Sequence, residues 1–318
     1  MSEALPKSAP KTKQMIVNGN LIPFEDATVH LMSPAMRYGL NIFEGLRGYW
    51  NEDQQQLYVF RLQEHMERFE QSMKLLRFEP DFDVDDVTKA VGDLLQADDH
   101  RAHCHIRTTA YLDGIGEHHV TKPVSWMVYA GPRARNAKTD SGIRVHISTW
   151  RRMSDNAMPP RIKCGANYAN ARLARFQAQA DGYDDAIMLN DAGKVGEGPG
   201  ACLFLFRRGR LITPDVSSGI LESITRDTIL DLAADQGLNV EERAVDRTEL
   251  YAADEAFFAG SAAEILPITS VDGMTVGNGE VGPVTQALQA SYFSAVEGRS
   301  MVDRNWLTPV YDKMKAER

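Results

Sequence analysis

The sequence predicts a mixed α+β protein built from a smaller N-terminal and a larger C-terminal domain. Segments with strand-like alternation and segments with helical spacing follow one another along the whole chain. The 318 residues are more than one compact core usually serves, so two domains are expected. The polar, turn-rich stretch PRARNAKTDSG, residues 132–142, is the best candidate for a linker. We therefore predict a disordered tail over 1–14, an N-terminal domain over 15–131 and a C-terminal domain over 143–318.

The N-terminal half predicts a sheet accompanied by two helices. In QMIVNGNLIPF, an Asn18-Gly19 turn separates two strand-like runs, which is typical of a hairpin. Apolar residues recur at helical spacing in two later segments, and strand-like patterns occupy three others. The helical segments are QEHMERFEQSMKLLRF and DVDDVTKAVGDLLQ, and the strand-like ones are QLYVFRL, HCHIRTTAYL and SWMVYAG.

The C-terminal half shows the same mixture. Its strand-like segments are IRVHIST, DAIMLND, CLFLFRRGRLIT, EAFFAG and EILPITSVDGMTVG. Its helical segments are ANARLARFQAQADG, SITRDTILDLAADQG and GPVTQALQASYFSAVEG. Ser223 or Thr225 can cap the second of these helices, and Gly237 can end it. Pro283 suits the first turn of the third helix.

Composition narrows the class of protein. Apolar residues make up 43% and charged residues 25%, which is typical of a soluble globular protein. No apolar run approaches the roughly 18 residues of a membrane span. The formal net charge of −9 disfavours nonspecific binding to nucleic acid or to an anionic membrane surface. We therefore expect neither a nucleic-acid nor a membrane partner.

The cysteines bear on metal binding and on the cellular compartment. Cys104, Cys164 and Cys202 are odd in number and far apart, with no CxxC or Cys/His cluster. This spacing argues against a disulfide framework and against a zinc site, and it favours a reducing cytoplasm. The N-terminal MSEALPKSAPKTKQ lacks the apolar core of a secretory signal, and without arginine it is a poor mitochondrial presequence.

One lysine has an unusual setting. In RIKCGAN, Lys163 lies between Ile162 and the small residues Cys164, Gly165 and Ala166. Its side chain can extend to water or pair with an acid, which is the ordinary fate of a lysine. Alternatively, its amine is buried and kept neutral so that it can act as a nucleophile. The local sequence leaves both possibilities open.

A glutamate has an equally unusual setting in VGEGPGACLF, residues 195–204. Glu197 lies between two glycines, with Pro199 and Gly200 after it. The segment can be a hairpin turn with an exposed glutamate. Three glycines in five residues also suit a backbone that approaches a ligand closely or adopts positive φ.

Two further segments can bind anions. LESITRD, residues 221–227, begins a predicted helix, whose first N–H groups either bind an anion or are simply capped. In FFAGSAAE, residues 257–264, a strand runs into a turn of small residues that can bind a carboxylate or serve only as a turn. An amine, a carboxylate, a phosphate-sized site and a carboxylate-sized site together match what pyridoxal phosphate and an amino acid require.

Six segments, taken together, resemble the branched-chain amino acid aminotransferases, which are fold type IV pyridoxal-phosphate enzymes. They are FEGLRGY (43–49), EHMERFEQSMKLL (64–76), PPRIKCGANYANA (159–171), GEGPG (196–200), GILESITRD (219–227) and GSAAEILPI (260–268). The resemblance runs from about residue 15 to about residue 300, with the segments in the family's order and spacing. It implies the two-domain fold of that class and the cofactor pyridoxal 5′-phosphate.

The resemblance implies roles in cofactor binding. Lys163 would bind the cofactor aldehyde covalently, Tyr168 would hydrogen-bond its phenolic oxygen, and Glu197 would pair with its pyridine nitrogen. Leu221 would pack on the ring. The phosphate would be held by an arginine of EHMER, two backbone N–H groups and a hydroxyl group, contributed by Arg68, Ile224, Thr225 and Ser261.

It also implies substrate contacts. Ser261 and Ala262 would offer N–H groups to the α-carboxylate, and Arg107, in HIRTT, would bind the distal carboxylate of glutamate. The side-chain pocket would be lined by Tyr38, Phe43 and Arg47. Three positions depart from the family pattern, where a tyrosine, an asparagine and a threonine are usual: His105, Cys202 and Ser261. The departure at His105, near the substrate carboxylate, leaves the preferred amino donor open.

The implied activity is transfer of an amino group between leucine, isoleucine or valine and 2-oxoglutarate by a ping-pong mechanism. A homodimer or a larger homo-oligomer is implied as well. One alternative is another fold type IV enzyme, such as an amine or D-amino acid transaminase or an aminodeoxychorismate-lyase-like enzyme. Another is a noncatalytic protein that only binds the cofactor, although the presence of both Lys163 and Glu197 argues against it.

Overall fold

The computed structural model describes residues 12–300 and 304–311, which form two compact units. Unit 1 comprises residues 12–134 together with 304–311, and unit 2 comprises residues 135–300. Both units combine helices with sheets, so the predicted α+β class is confirmed.

The two ends of the chain depart from the predicted domain limits. Most of the predicted tail, residues 1–11, lies outside the described part, but Gln14 already opens the first strand. The hydroxyl group of Thr12 also donates to the Ala130 carbonyl at 2.5 Å. At the other end, the segment 304–311 belongs to unit 1 because Leu307–Pro309 adds a strand to its sheet. The prediction that the second domain extends to residue 318 is therefore wrong.

Unit 1 contains a seven-stranded sheet in which all neighbouring strands are antiparallel, in the order β15-β4-β3-β5-β6-β1-β2. The strands are β1 (Gln14–Val17), β2 (Asn20–Pro23), β3 (Asn41–Asn51), β4 (Gln56–Phe60), β5 (Cys104–Leu112), β6 (Val124–Pro132) and β15 (Leu307–Pro309). The helices are α1 (Pro34–Tyr38), α2 (Leu62–Leu75) and α3 (Val84–Ala97). The predicted hairpin, both longer helices and the strands of this half are confirmed.

The central strand β3 is the main element that the pattern of apolar residues did not predict. Most of its residues are buried on both faces of the sheet, so the usual alternation of apolar and polar residues is absent. Glu44 and Arg47 are buried in it beside Ile42 and Leu46. Their charged side chains made this segment look unlike a strand, because only tertiary partners make their burial possible.

Unit 2 contains an eight-stranded mixed sheet in which seven strands follow the order β11-β10-β9-β12-β13-β7-β8 and β14 pairs with β13. The strands are β7 (Ile143–Ile147), β8 (Asp185–Ile187), β9 (Cys202–Arg207), β10 (Arg210–Thr213), β11 (Asn239–Glu242), β12 (Glu255–Gly260), β13 (Glu264–Val271) and β14 (Met274–Thr275). The helices are α4 (Gly165–Ala180), α5 (Ile224–Asp235), α6 (Arg247–Tyr251) and α7 (Pro283–Val296).

Local signals correctly predicted both ends of α5 and the start of α7. The Ser223 hydroxyl group accepts the N–H of Arg226 and caps α5, while Gly237, with φ +69°, follows its end. Pro283 is the first residue of α7. Each of these signals comes from one residue at or next to the helix end, so it can be recognised without knowing the tertiary structure.

The register of β9 and β12 positions the candidate site of unit 2. Cys202, the first residue of β9, is paired with Ala259 near the end of β12. The loop before β9 and the turn after β12 are therefore neighbours. Leu203 and Phe258, on the same two strands, belong to the buried hydrophobic core below them.

Candidate active site

Lys163 precedes the first residue of α4 by two positions. Its Nζ lies 3.0 Å from the hydroxyl oxygen of Tyr168, which is in the first turn of that helix. Lys163 is partly exposed, so the alternative of a fully buried amine does not hold in this structure. The amine is instead accessible from solvent and is oriented by a phenol, which suits a nucleophile that must be reached by other molecules.

Glu197 is buried, with only 5% of its surface exposed. Its Oε1 lies 2.8 Å from Nη2 of Arg152, and its Oε2 accepts the N–H of Leu221 at 3.3 Å. The Cys202 thiol is 3.6 Å from the same Oε2. Burial raises the pKa of Glu197, and the charges of Arg152 and Lys163 oppose that rise. The alternative of an exposed glutamate on a hairpin is therefore wrong.

The glycines around Glu197 are explained by packing within the protein. A Cβ on Gly198 would lie 2.8 Å from the Phe258 ring, and one on Gly196 would lie 3.2 Å from the Met188 carbonyl oxygen. Neither glycine has positive φ, in contrast to one of the two expectations from the sequence. The density of glycines lets this loop pack tightly on β12 and on the residues after β8.

The start of α5 lies near Glu197 in space, although the two are far apart along the chain. Leu221, whose N–H contacts the carboxylate, precedes Ile224 by three residues, so the two Cα atoms are at most about 11 Å apart. The N–H groups of the first helical turn, including those of Ile224 and Thr225, have no acceptor within the helix. An anion is favoured at such a position by these donors and by the helix dipole.

The turn Ser261–Ala263 connects β12 to β13. A Cβ on Gly260, which precedes the turn, would lie 3.2 Å from the Gly200 carbonyl oxygen, so this turn adjoins the Glu197 loop. Glu264 closes the turn with φ +59° although it is fully buried. Its carboxylate accepts the N–H of Asn136 at 3.1 Å, which helps to hold this left-handed conformation. Neither the burial of Glu264 nor its positive φ was predicted from the sequence.

In unit 1, four of the predicted substrate residues lie on one face of two paired strands. Phe43 and Arg47 are on β3, and Arg47 lies directly opposite His105 on β5. Arg107, also on β5, lies opposite Gly45, and its guanidinium carbon is 3.9 Å from the centre of the Phe43 ring. An apolar ring and a cation are therefore stacked within one small region.

The other two predicted residues of unit 1 have different surroundings. Tyr38 ends α1, and its hydroxyl group donates to Glu117 at 2.6 Å. Arg68 binds Glu44 through two hydrogen bonds of 2.7 and 2.8 Å, and His65 Nδ1 lies 2.7 Å from the same carboxylate. Burial alone would raise the pKa of Glu44, but Arg68 and His65 hold it well below its ordinary value. The contact of Arg68 with the phosphate remains a prediction.

Sequence reasoning missed Arg152. It is as buried as Glu197, with 5% of its surface exposed, although it lies in a connecting segment outside any helix or strand. Its acidic partner is 45 residues away along the chain. The one local signal is a pair of consecutive arginines, Arg151 and Arg152, without a neighbouring acid.

Two negative findings apply to residues 12–300 and 304–311. Within these ranges, no cluster of histidine, cysteine, aspartate and glutamate side chains could hold a metal ion. No helix within them is long and apolar enough to span a membrane.

The residues of unit 2 fit pyridoxal 5′-phosphate. Lys163 offers an accessible amine beside a phenol, and the Glu197 carboxylate, buried and paired with Arg152, suits a protonated ring nitrogen. The helix start that follows Leu221 supplies donors for a phosphate. When bound, the cofactor supplies an aldehyde that reacts with amines and a ring that withdraws electrons from the substrate Cα.

Comparisons with known proteins show the family of this chain. The family model for amino-transferase class IV matches residues 41–271. A probable branched-chain-amino-acid aminotransferase of Aquifex aeolicus is 39% identical over 300 residues, which are 93% of this chain and 96% of the relative. The crystal structure of the Thermobaculum terrenum branched-chain amino acid aminotransferase in its pyridoxal-phosphate form is 45% identical. It has a TM-score of 0.90 and covers 96% of this chain and 100% of that one.

A second solved structure is the T.th. branched-chain amino acid aminotransferase complexed with N-(5′-phosphopyridoxyl)-L-glutamate. It is 35% identical, with a TM-score of 0.91, and it covers 95% of this chain and 100% of that one. Fold, site and comparisons together define a pyridoxal-phosphate-dependent aminotransferase. The chain belongs to class IV of these enzymes and, within it, to the branched-chain amino acid aminotransferase family. The alternative of a noncatalytic cofactor-binding protein is therefore set aside.

Proposed function

We propose that this enzyme transfers the amino group between leucine, isoleucine or valine and 2-oxoglutarate in two successive half-reactions. The observation that carries the proposal is the stacking of Arg107 on Phe43, beside Arg47 and His105. An aromatic ring suits a branched aliphatic side chain, whereas a guanidinium group suits a carboxylate because it can bind it through two hydrogen bonds. One region can thus accept both kinds of substrate in turn.

The relatives support both parts of this proposal. The proteins of Aquifex aeolicus and Thermobaculum terrenum carry the name of branched-chain aminotransferases, which supports the donors. The T.th. enzyme binds a phosphopyridoxyl derivative of L-glutamate, which supports the pair of glutamate and 2-oxoglutarate. Amine and D-amino acid donors remain the competing substrates for this fold.

The residues of unit 2 divide the chemical work. Lys163 Nζ removes the proton from the substrate Cα and later returns a proton, while the Tyr168 hydroxyl group orients this amine at 3.0 Å. The Glu197 carboxylate keeps the ring nitrogen protonated, because a negative charge stabilises the proton beside it. The backbone N–H groups of Ser261 and Ala262 bind the substrate α-carboxylate and fix its orientation.

A substitution at Arg107 tests the acceptor. Arg107→Leu should slow the half-reaction with glutamate or 2-oxoglutarate far more than the half-reaction with leucine or its oxo acid. Truncating one member of a buried charge pair commonly costs about 2–5 kcal/mol, which exceeds a tenfold difference in rate. Single-turnover rates for each half-reaction measure the difference. Arg101→Leu, which removes an exposed arginine of the same unit that pairs with Asp99, is the control.

An equal effect on both half-reactions would contradict this assignment. If Arg107→Leu slows both to the same extent, Arg107 is a structural cation and does not bind the substrate carboxylate. The main argument for 2-oxoglutarate as acceptor would then be lost, while the roles of Lys163 and Glu197 in unit 2 would be unaffected.

The protein is further proposed to be a homodimer or a larger homo-oligomer. Leu173 and Phe176 are exposed at 42% and 50% on one face of α4. Trp150, exposed at 46%, lies in a segment that is hydrogen-bonded to Asn170 and Gln177 of the same helix. Several large apolar side chains exposed on and beside one helix are typical of an interface.

We also propose a cytoplasmic location. The three cysteines are free and buried, and free cysteines are typical of a reducing compartment.

Sedimentation equilibrium tests the assembly. The purified protein should have the mass of at least two chains, and Phe176→Glu should shift it toward the monomer because a charge would enter the interface. Glu67→Gln, on α2 of unit 1, is a surface control that should leave the mass unchanged. A monomeric wild-type protein at micromolar concentration would contradict the proposal.

A further inference from the structure

Arg152 forms a buried ion pair with Glu197 but has no role in the chemistry proposed above. Nη2 of Arg152 lies 2.8 Å from Oε1 of Glu197, and each residue is 5% exposed. A buried charge is tolerated only when it is paired or hydrogen-bonded, since burial removes its hydration. Each member of the pair therefore stabilises the ionised form of the other.

Backbone contacts fix both members of this pair. The Arg152 N–H donates to the Leu189 carbonyl at 2.9 Å, and its Nε donates to the Gly219 carbonyl at 3.3 Å. The N–H of Met188 donates to the carbonyl of Glu197 at 2.9 Å. Met188 and Leu189 directly follow β8. Through their backbones, Met188 therefore holds Glu197 and Leu189 holds Arg152. The pair is positioned by the fold itself.

Among the residues that the structure describes, the other oxygen of Glu197 has only neutral donors. Its Oε2 accepts the N–H of Leu221 at 3.3 Å and contacts the Cys202 thiol at 3.6 Å. Burial raises the pKa of Cys202 to about 12, so the thiol keeps its proton and can donate it in a hydrogen bond. Lys163 acts on Glu197 through its charge without a direct hydrogen bond to it. Arg152 is therefore the cation in direct contact with this carboxylate.

We propose that Arg152 is a positioning residue for transamination, which holds Glu197 ionised and correctly oriented toward the cofactor ring nitrogen. This inference rests on the proposed role of Glu197. Without the guanidinium group, the buried glutamate would bind a proton at neutral pH, because desolvation favours its neutral form. A protonated Glu197 cannot stabilise a protonated ring nitrogen.

Infrared spectroscopy of the cofactor-free protein tests the ionisation directly. With isotope-labelled glutamate, wild-type Glu197 should be a carboxylate at pH 7. Arg152→Gln should show a protonated carboxyl band, and this band should vanish in Arg152→Gln/Glu197→Gln. The control is Arg151→Gln, the adjacent arginine, which donates to the Asn190 and Asp191 carbonyls and should leave Glu197 ionised. No substrate is present, so the result is independent of donor and acceptor specificity.

Activity measurements of the holoenzyme complete the test. Arg152→Gln should lower the rate by about 10²–10³-fold, as expected for the loss of a preorganised electrostatic partner. The double variant Arg152→Gln/Glu197→Gln should lose about as much rate as Glu197→Gln alone. Both substitutions remove the same effect, the negative charge of Glu197, so their losses do not add. Arg152→Lys should recover part of the rate, since it keeps the charge without the planar geometry.

Two outcomes would overturn the inference. One is a Glu197 that stays ionised at pH 7 in Arg152→Gln, and the other is losses that multiply in the double variant. If Arg152→Gln does not fold, as judged by circular dichroism, Arg152→Lys decides the question. The acid limb of its pH–rate profile should move to higher pH, because a more distant cation lowers the pKa of Glu197 less. An unshifted acid limb would show that Arg152 has only a structural role.

Discussion

Replacing Lys163 with alanine should abolish covalent attachment of the cofactor and nearly all transamination. The variant loses both the nucleophile and the group that moves the Cα proton. Removal of a positioned general base alone typically costs about 10²–10⁴-fold in rate. Borohydride reduction of the wild-type holoenzyme, followed by peptide mapping, should place the cofactor on Lys163.

Lys194→Ala is the control for this prediction. Lys194 is also in unit 2, but its amine pairs with Asp246 at 2.5 Å on the surface. The variant should keep the yellow colour of the bound cofactor and its activity, because loss of the Lys194 amine removes only an exposed ion pair. Cofactor label on Lys194, or on no lysine, would show that the assignment of Lys163 is wrong.

Glu197→Gln should reduce turnover by about 10²–10³-fold while preserving the fold and much of the cofactor binding. The amide has nearly the same shape as the carboxylate and can still accept the N–H of Leu221 and a hydrogen bond from Arg152. It lacks the negative charge that keeps the ring nitrogen protonated. Steady-state rates with leucine and 2-oxoglutarate, together with the absorbance spectrum of the bound cofactor, measure the two effects separately.

Glu222→Gln is the matched control. Glu222 lies next to Leu221 in the same segment, but its carboxylate is half-exposed and binds Arg161 at 2.7 Å. We expect a change of less than a few-fold, because an exposed ion pair contributes only about 0–1 kcal/mol. Near-normal turnover of Glu197→Gln would show instead that the glutamate only shapes its loop.

The candidate site could be predicted from the sequence where its chemistry is local. Small residues beside Lys163 and glycines beside Glu197 made both residues candidates, and the family resemblance implied their roles. The structure brings their charges close enough to interact. Arg152 could not be found in this way. Its role depends on Glu197, which lies 45 residues later in the sequence. The two side chains meet only when the segments around β8 have folded together.

The sequence by itself determined the elements whose signals lie within a few residues. Examples are the Asn18-Gly19 hairpin, the Ser223 cap of α5 and the proline that begins α7. Only the tertiary structure decided that β3 is a central strand, because Glu44 needs Arg68 from α2 before it can be buried there. It alone also decided that 307–309 pairs with β4, almost 250 residues earlier. Local preferences act between neighbours, whereas buried charges and strand pairing depend on partners that only folding brings together.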